Sequence, residues 1–258
     1  YYQTAFNGIN QNNQYDPSNT VMFWDNRAAS LEQQALEPIK SDVEMRGTDI
    51  SEAEILNVIV NRLQAIPDYV VLFSEAFGEA GTETISPNRI AKAIAAFQRS
   101  IISVNSPFDR YIRGETTALT AQQINGMNEF EEAGCDVCHG GPMFSDFELH
   151  QLPVEHNNKL AELDNGVDGQ FRTPALRNVA LTAPYMHNGT IATLEEAIEF
   201  YHNIDNPAND PDLEQLDQSD SERIIADMAA FLRALSDESF DRTVPNTVPS
   251  GLNPGGDI

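Results

Sequence analysis

The stretch "AGCDVCHGG", residues 133–141, holds both cysteines of the 258-residue chain, with a histidine directly after the second. Three chemistries use such a pair. A redox dithiol of the thioredoxin type follows a strand in a βαβ setting. A structural zinc ion takes about four protein ligands, usually with a second Cys/His pair at ligand spacing. A c-type haem needs two thiols for the two vinyl groups on one porphyrin edge, and an imidazole in the next position for the iron.

The surroundings favour the third. The pair follows a helical pattern and a glycine rather than a strand, and His150, His156, His187 and His202 are scattered along the chain. Asp or Glu could complete a zinc site, so zinc and the dithiol stay as the weaker readings. Cys135 and Cys138 are expected to attach one haem c covalently, with His139 as its axial ligand. Covalent haem is attached outside the cytoplasm in bacteria, so this also implies an exported, periplasmic or extracellular protein.

Composition is compatible with that. Hydrophobic residues make up 41% and charged residues 21%, ordinary values for a globular chain that can bury one large core or two smaller ones. No apolar run approaches the roughly 20 residues that span a bilayer. Fifteen Lys+Arg against forty Asp+Glu give a net charge of -25. Such a charge argues strongly against nucleic acid or anionic membrane as a partner and suits a basic protein such as a small cytochrome, although solubility in a salty medium explains it equally. The chain opens on Tyr1-Tyr2 without a signal peptide, and the expectation is that a segment upstream is removed or lies outside the given sequence.

Helical signals dominate. "FWDNRAASLEQQALEPI" (23–39) begins a short helix carrying Leu31, Ala35 and Leu36. Ser51 with Glu54 forms a capping box for a second, with Ile55, Val58, Ile59 and Leu63 on one face. Ser86-Pro87 opens a third, with Ile90, Ala91, Ile94 and Phe97 expected inward. Thr120 and Gln123 cap a fourth, whose Ile124, Met127 and Phe130 lead to the cysteine pair. Thr193 and Glu196 cap a fifth; Ser219 and Glu222 cap the last, to about Leu235. Tyr1 to Ser18 and the tail "VPNTVPSGLNPGGDI" read as coil. Alternating strand patterns are few and no repeat is found. The long irregular connections around 140–190 need something to order them, which a buried cofactor would do.

Four longer stretches carry a resemblance. "LTAQQINGMNEFEEAGCDVCHGGPMFSD", "FRTPALRNVALTAPYMHNGTIATLEEAIEFY" and "ADMAAFLRALS" resemble the C-terminal haem domain of bacterial dihaem cytochrome c peroxidases and the related MauG group. "FWDNRAASLEQQALEPIKSDVEM" resembles their N-terminal, peroxidatic domain. The resemblance covers nearly the whole chain. It implies a mainly α fold of two cytochrome-c-like helical haem domains with long irregular connections. Residues 1–105 would be the remainder of the N-terminal domain, 106–236 the C-terminal haem domain and 237–258 a coil tail. The family's upstream Cys-x-x-Cys-His is absent here. An N-terminal segment outside the given sequence, cleavage into two chains, or loss of the peroxidatic haem would each explain that; the first two are favoured because residues lining that haem are retained.

By this resemblance Trp24 lies between the two haems and passes electrons, while Gln34 and Glu44 face the open side of the peroxidatic iron, with Met45 beside them. A partly buried carboxylate there can move a proton from one peroxide oxygen to the other, whereas an exposed acid at a helix end would have no such role. The helix after Thr193 places Leu194, Ala197, Ile198 and Tyr201 on one face, turning Tyr201 inward. A methionine matches that position in the peroxidases and a tyrosine in MauG-like members, so Tyr201 is the preferred second ligand of the retained haem iron and Met186 its rival. Arg172 and Arg177 are expected to pair with haem propionates. Thr182 and Pro184 match positions whose backbone carbonyls hold a calcium ion, and His187 matches a histidine near the C-terminal haem. The implied activity is that of a peroxide-dependent dihaem oxidoreductase. Electrons pass from the C-terminal haem to a peroxidatic haem that reduces hydrogen peroxide to water, with a basic cytochrome as donor. A MauG-like enzyme oxidising residues of a partner protein and a monohaem electron carrier are the alternatives. The oligomeric state is left open, a homodimer included.

Overall fold

A computed structural model describes residues 21–78, 84–160, 164–204, 221–237, 239 and 243–254. The chain forms two compact units. One is built mainly on Ala28–Ile101; the other takes Ile102–Phe240 together with the short excursion Phe23–Arg27. Trp24 therefore belongs to the unit that carries the cysteine motif, an assignment that sequence order does not suggest.

The first unit contains five helices among the described residues: α1 (Leu31–Gln34), α2 (Glu37–Lys40), α3 (Glu52–Gln64), α4 (Pro67–Phe77) and α5 (Pro87–Ser100). Ser86 caps α5 as expected, its hydroxyl accepting from the Arg89 amide. Two expectations need correction. Ser51 precedes α3, but its hydroxyl bonds the Glu54 carboxylate at 2.5 Å instead of a backbone amide, so no capping box forms. Phe97 is 65% exposed, and Ala95 is buried in its place. The two lie about 200° apart around the helix, so burying Ala95 turns Phe97 outward. Helix α4 is additional to the helices expected from the sequence, although Pro67 at its start and Gly78 at its end bound it. Arg89 supports its end, donating to the carbonyls of Phe77, Gly78 and Thr84. Among the described residues no single helix is long and apolar enough to cross a membrane; α3 and α4 reach that length only together, across a 101° bend.

The second unit contains α6 (Pro107–Ile112), α7 (Ala121–Glu132), α8 (Cys135–Cys138), α9 (Leu194–His202) and α10 (Ser221–Arg233). A two-stranded antiparallel ribbon joins β1 (Leu149–His150) to β2 (Phe171–Arg172). Thr120 and Thr193 cap α7 and α9 in full capping boxes, as the sequence signals. Ser219, expected to cap α10, lies outside the described residues. Helix α6 was not anticipated, although Ser106 and Asp109 give it a capping box too.

Helices α7 and α10 cross so closely that a side chain at Gly126 would place its Cβ 1.8 Å from the Asp227 carbonyl oxygen. Glycine is the residue that permits the crossing. Around it Phe108, Phe130, Phe144 and Phe231 meet edge-on, with centroids 5.1–6.4 Å apart. This geometry suits aromatic quadrupoles. Leu176, Leu194, Leu232 and Leu235 complete the core.

One buried ion pair binds the connections to that core. Arg177 donates to both carboxylate oxygens of Asp109, at 2.9 and 3.0 Å, and its Nε donates to the Pro142 carbonyl at 2.7 Å. Burial alone would raise the Asp109 pKa, but the hydrogen bonds from Arg177 and Ser106 outweigh it and hold the carboxyl below its usual range. A carboxylate so shifted stabilises the fold at pH values above its ordinary range, and that contribution is lost as pH falls through the lowered value. Replacing Asp109 with Asn should cost about 3–5 kcal/mol by leaving the Arg177 charge uncompensated. Urea titrations of both proteins at neutral and acid pH would measure this. The difference between them should shrink in acid, and a constant difference would contradict the assignment.

Candidate haem site

A cavity of about 440 Å³ lies within the second unit, a size usual for large organic ligands. Its walls are mostly apolar, with Leu152, Val154, Leu176, Val179, Ile198 and Leu232 among them. Cys135, Cys138 and His139 open onto it. Gly134, in a left-handed conformation, ends α7 and starts the tight turn α8 that puts the two thiols on one side. The chain then turns so sharply that a Cβ at Gly140 would stand 2.5 Å from the Asp136 carbonyl oxygen, which accounts for the first glycine of "HGG".

The imidazole is oriented from behind. His139 Nδ1 lies 3.0 Å from the Phe144 carbonyl oxygen, which can only accept, so Nδ1 carries the proton and Nε2 is left for a metal. Burial lowers the His139 pKa, against the opposing pull of the Phe144 carbonyl and Asp146, and so favours the neutral, ligating form. The thiol of Cys135 is pushed up to about 12, by burial first and then by Asp136. A redox dithiol needs a lowered thiol pKa, so this environment argues against that reading. Cys135 and Cys138 are not joined to each other.

Tyr201, Met186 and His187 all line the same cavity. Burial raises the Tyr201 pKa, and Cys135 and Cys138 raise it further, which places the phenol in the same low-dielectric space as the two sulfurs. Such a phenol keeps its proton unless a cation takes the proton's place. His187 stacks on Phe171 with 3.6 Å between centroids, a pairing that no local pattern announces. Trp24 also lines the cavity, and its carbonyl accepts from the Arg172 amide at 2.7 Å.

The two arginines separate. Arg172 lines the cavity with its guanidinium over the Phe147 ring at 4.7 Å. Arg177 does not line it: the expected propionate partner is instead the structural cation paired with Asp109, drawn inward by that buried carboxylate. Thr182 and Pro184 sit on an exposed turn at the cavity edge. His150, one of the histidines scattered in sequence, meets Asp146 beside the cysteine motif. They bond at 2.8 Å, and with Cys138 they make the one trio among the described residues whose ligand atoms fall within 4.8 Å. Three ligands are one short of a structural zinc site, and the thiol is the one that haem attachment requires.

Gln34 and Glu44 belong to the first unit. Gln34 is half-buried on α1, where its side chain accepts from Gln98 at 3.1 Å, whereas Glu44 and Met45 are exposed on the turn after α2.

A half-buried histidine fixed through Nδ1, two neighbouring thiols and an apolar cavity, set in a mainly helical fold, fit a c-type haem domain. The profile of the family described as di-haem cytochrome c peroxidase matches residues 3–117. Cytochrome c551 peroxidase of Pseudomonas aeruginosa is 36% identical over 230 residues, covering 84% of this chain and 61% of the relative. The methylamine utilization protein MauG of Methylorubrum extorquens is 33% identical, covering 88% of this chain and 64% of the relative. The crystal structure of a MauG-like protein associated with microbial copper homeostasis superposes with a TM-score of 0.70 at 31% identity, over 90% of this chain and 79% of that one. The chain belongs to the di-haem cytochrome c peroxidase and MauG family. It spans under two thirds of the length of its curated relatives, 61% and 64% of the two named here.

The residues fit a covalent haem c, and the fit gives a direct test. A haem-stained band should be present in the mature protein and vanish in a Cys135→Ala, Cys138→Ala double variant. A band that persists would refute attachment at these thiols.

Proposed function

We propose that this chain carries the electron-relay haem c of an exported, peroxide-dependent dihaem oxidoreductase. The observation that carries the reading is the His139 imidazole, its Nδ1 held by the Phe144 carbonyl and its ring opening on the cavity beside both thiols. Bound there, the haem supplies one-electron transfer to a second, peroxidatic haem where hydrogen peroxide is reduced to water. Family membership supports the second haem and the peroxide. Among this chain's residues, Cys135 and Cys138 attach the haem, His139 ligates it and Arg172 faces its propionates. Trp24, on the cavity wall, is positioned to relay electrons, and Thr182 and Pro184 offer backbone carbonyls to a calcium ion. The net charge of -25 suits a basic cytochrome as donor.

Glu44 is the proton carrier in this reading. The assignment rests on the family resemblance, since Glu44 is exposed on the turn after α2 rather than partly buried. Haem count and peroxide turnover of the full-length protein test the reading as a whole; one haem and no turnover would favour a simple electron carrier. Glu44→Gln keeps the size and removes the exchangeable proton, so peroxide turnover should fall about a hundredfold or more. Turnover within a few-fold of the parent would assign proton transfer to another group.

Tyr201 favours a second reading, a MauG-like enzyme that oxidises residues of a partner protein. A phenolate ligand stabilises ferric over ferrous iron and lowers the potential, which hinders re-reduction by a mild cytochrome donor. A Tyr201→Phe variant examined by optical spectroscopy and redox titration should show a changed ferric spectrum and a higher potential. If both stay as they were, Tyr201 is packing, and Met186 or His187 becomes the ligand to test.

A further inference from the structure

Helix α1 has four residues, too few to hold a side chain still by its own hydrogen bonds. Two adjacent side chains from the last turn of α5 grip it. Arg99 donates to both carboxylate oxygens of Glu32, at 2.6 and 3.1 Å. Beside it, Gln98 Nε2 donates to Gln34 Oε1 at 3.1 Å, across 64 residues of sequence. The first bond anchors the helix, and the second fixes one amide. Because the Gln34 oxygen faces Gln98, its Nε2 donors are the part of the amide left to act elsewhere. Gln98 keeps its own Oε1 buried without a partner among the described residues.

From this geometry we infer that Gln98 is a positioning residue: it sets the polarity of the Gln34 amide, so that Gln34 presents N–H donors, not a carbonyl, to the peroxide site. The inference rests on the proposed peroxidase function and on the family resemblance that places Gln34 at the open side of the peroxidatic iron. An oxygen ligand gathering negative charge is stabilised by donors already oriented toward it and destabilised by a carbonyl dipole. Gln98 touches neither peroxide nor haem in this scheme and acts through Gln34.

The test uses the full-length protein with both haems. Gln98→Leu removes the partner, and peroxide kcat/KM should fall roughly tenfold or more through the freed amide. The affinity of the ferric protein for cyanide, read optically without turnover, should fall with it. Gln98→Glu has the same shape and serves where Gln98→Leu weakens folding. Its carboxylate only accepts, so Gln34 must turn its N–H groups inward. Turnover and cyanide affinity should then be low at neutral pH and recover as pH falls and Glu protonates, since the protonated acid can donate again. A merely structural role would give no such recovery. Gln34→Ala separates the two levels of the argument. If it loses turnover and cyanide affinity while Gln98→Leu keeps parental values, or if Gln98→Glu follows the parent's pH profile, the positioning role is wrong. If Gln34→Ala itself behaves as the parent, the placement of Gln34 at the peroxide site is wrong, and the inference goes with it.

Discussion

The hydrogen bond from His139 Nδ1 to the Phe144 carbonyl ties the cavity to the packing around it. Phe144 is itself buried, in a left-handed conformation with φ of 53°, and its ring meets Phe108, Phe130 and Phe231 edge-on. The orientation of the imidazole therefore depends on aromatic packing. A carbonyl fixed by a core cannot follow a ring that rotates, so one tautomer and one ring angle are selected. Burial then keeps the imidazole neutral, the form that can give a lone pair to a metal.

The same core governs where charge is tolerated. With forty acids against fifteen Lys and Arg, repulsion at the surface opposes compaction. Inside, Asp109 is met by Arg177 and Ser106, while Asp237 accepts from the amides of Val104 and Asn105. Both acids are nearly inaccessible, and both tie connections onto the helical core. They act as internal struts and leave the remaining acids to set the solution behaviour of the molecule.

Local signals read well. The capping boxes at Thr120 and Thr193 were legible because Ser/Thr and an acid or amide three residues on satisfy amides of the same turn, whatever the fold does later. The pair Ser51 and Glu54 shows the limit of the rule: there the hydroxyl donates to the carboxylate and neither side chain caps a backbone amide, although the equally exposed Thr193 and Glu196 do. Phe97 shows another. Apolar spacing marks a stripe on a helix, but which edge of the stripe is covered depends on its neighbours, and here Ile90, Ala91 and Ala95 are the covered residues.

The sequence by itself carried the haem reading, because thioether attachment and ligation would need three side chains within five consecutive residues, Cys135 to His139, and such proximity survives any folding outcome. It also determined that Tyr201 turns inward, since that follows from its position on a capped helix. Only the tertiary structure decided that Arg172 faces the cavity while Arg177 pairs with Asp109, 68 residues away. Both arginines stand in one short motif with the same chemistry, and a buried carboxylate supplied by a distant helix separates their roles. Trp24 and the Gln98–Gln34 pair belong to the same class. Their neighbours come from remote segments, and no periodicity encodes which remote segments will meet.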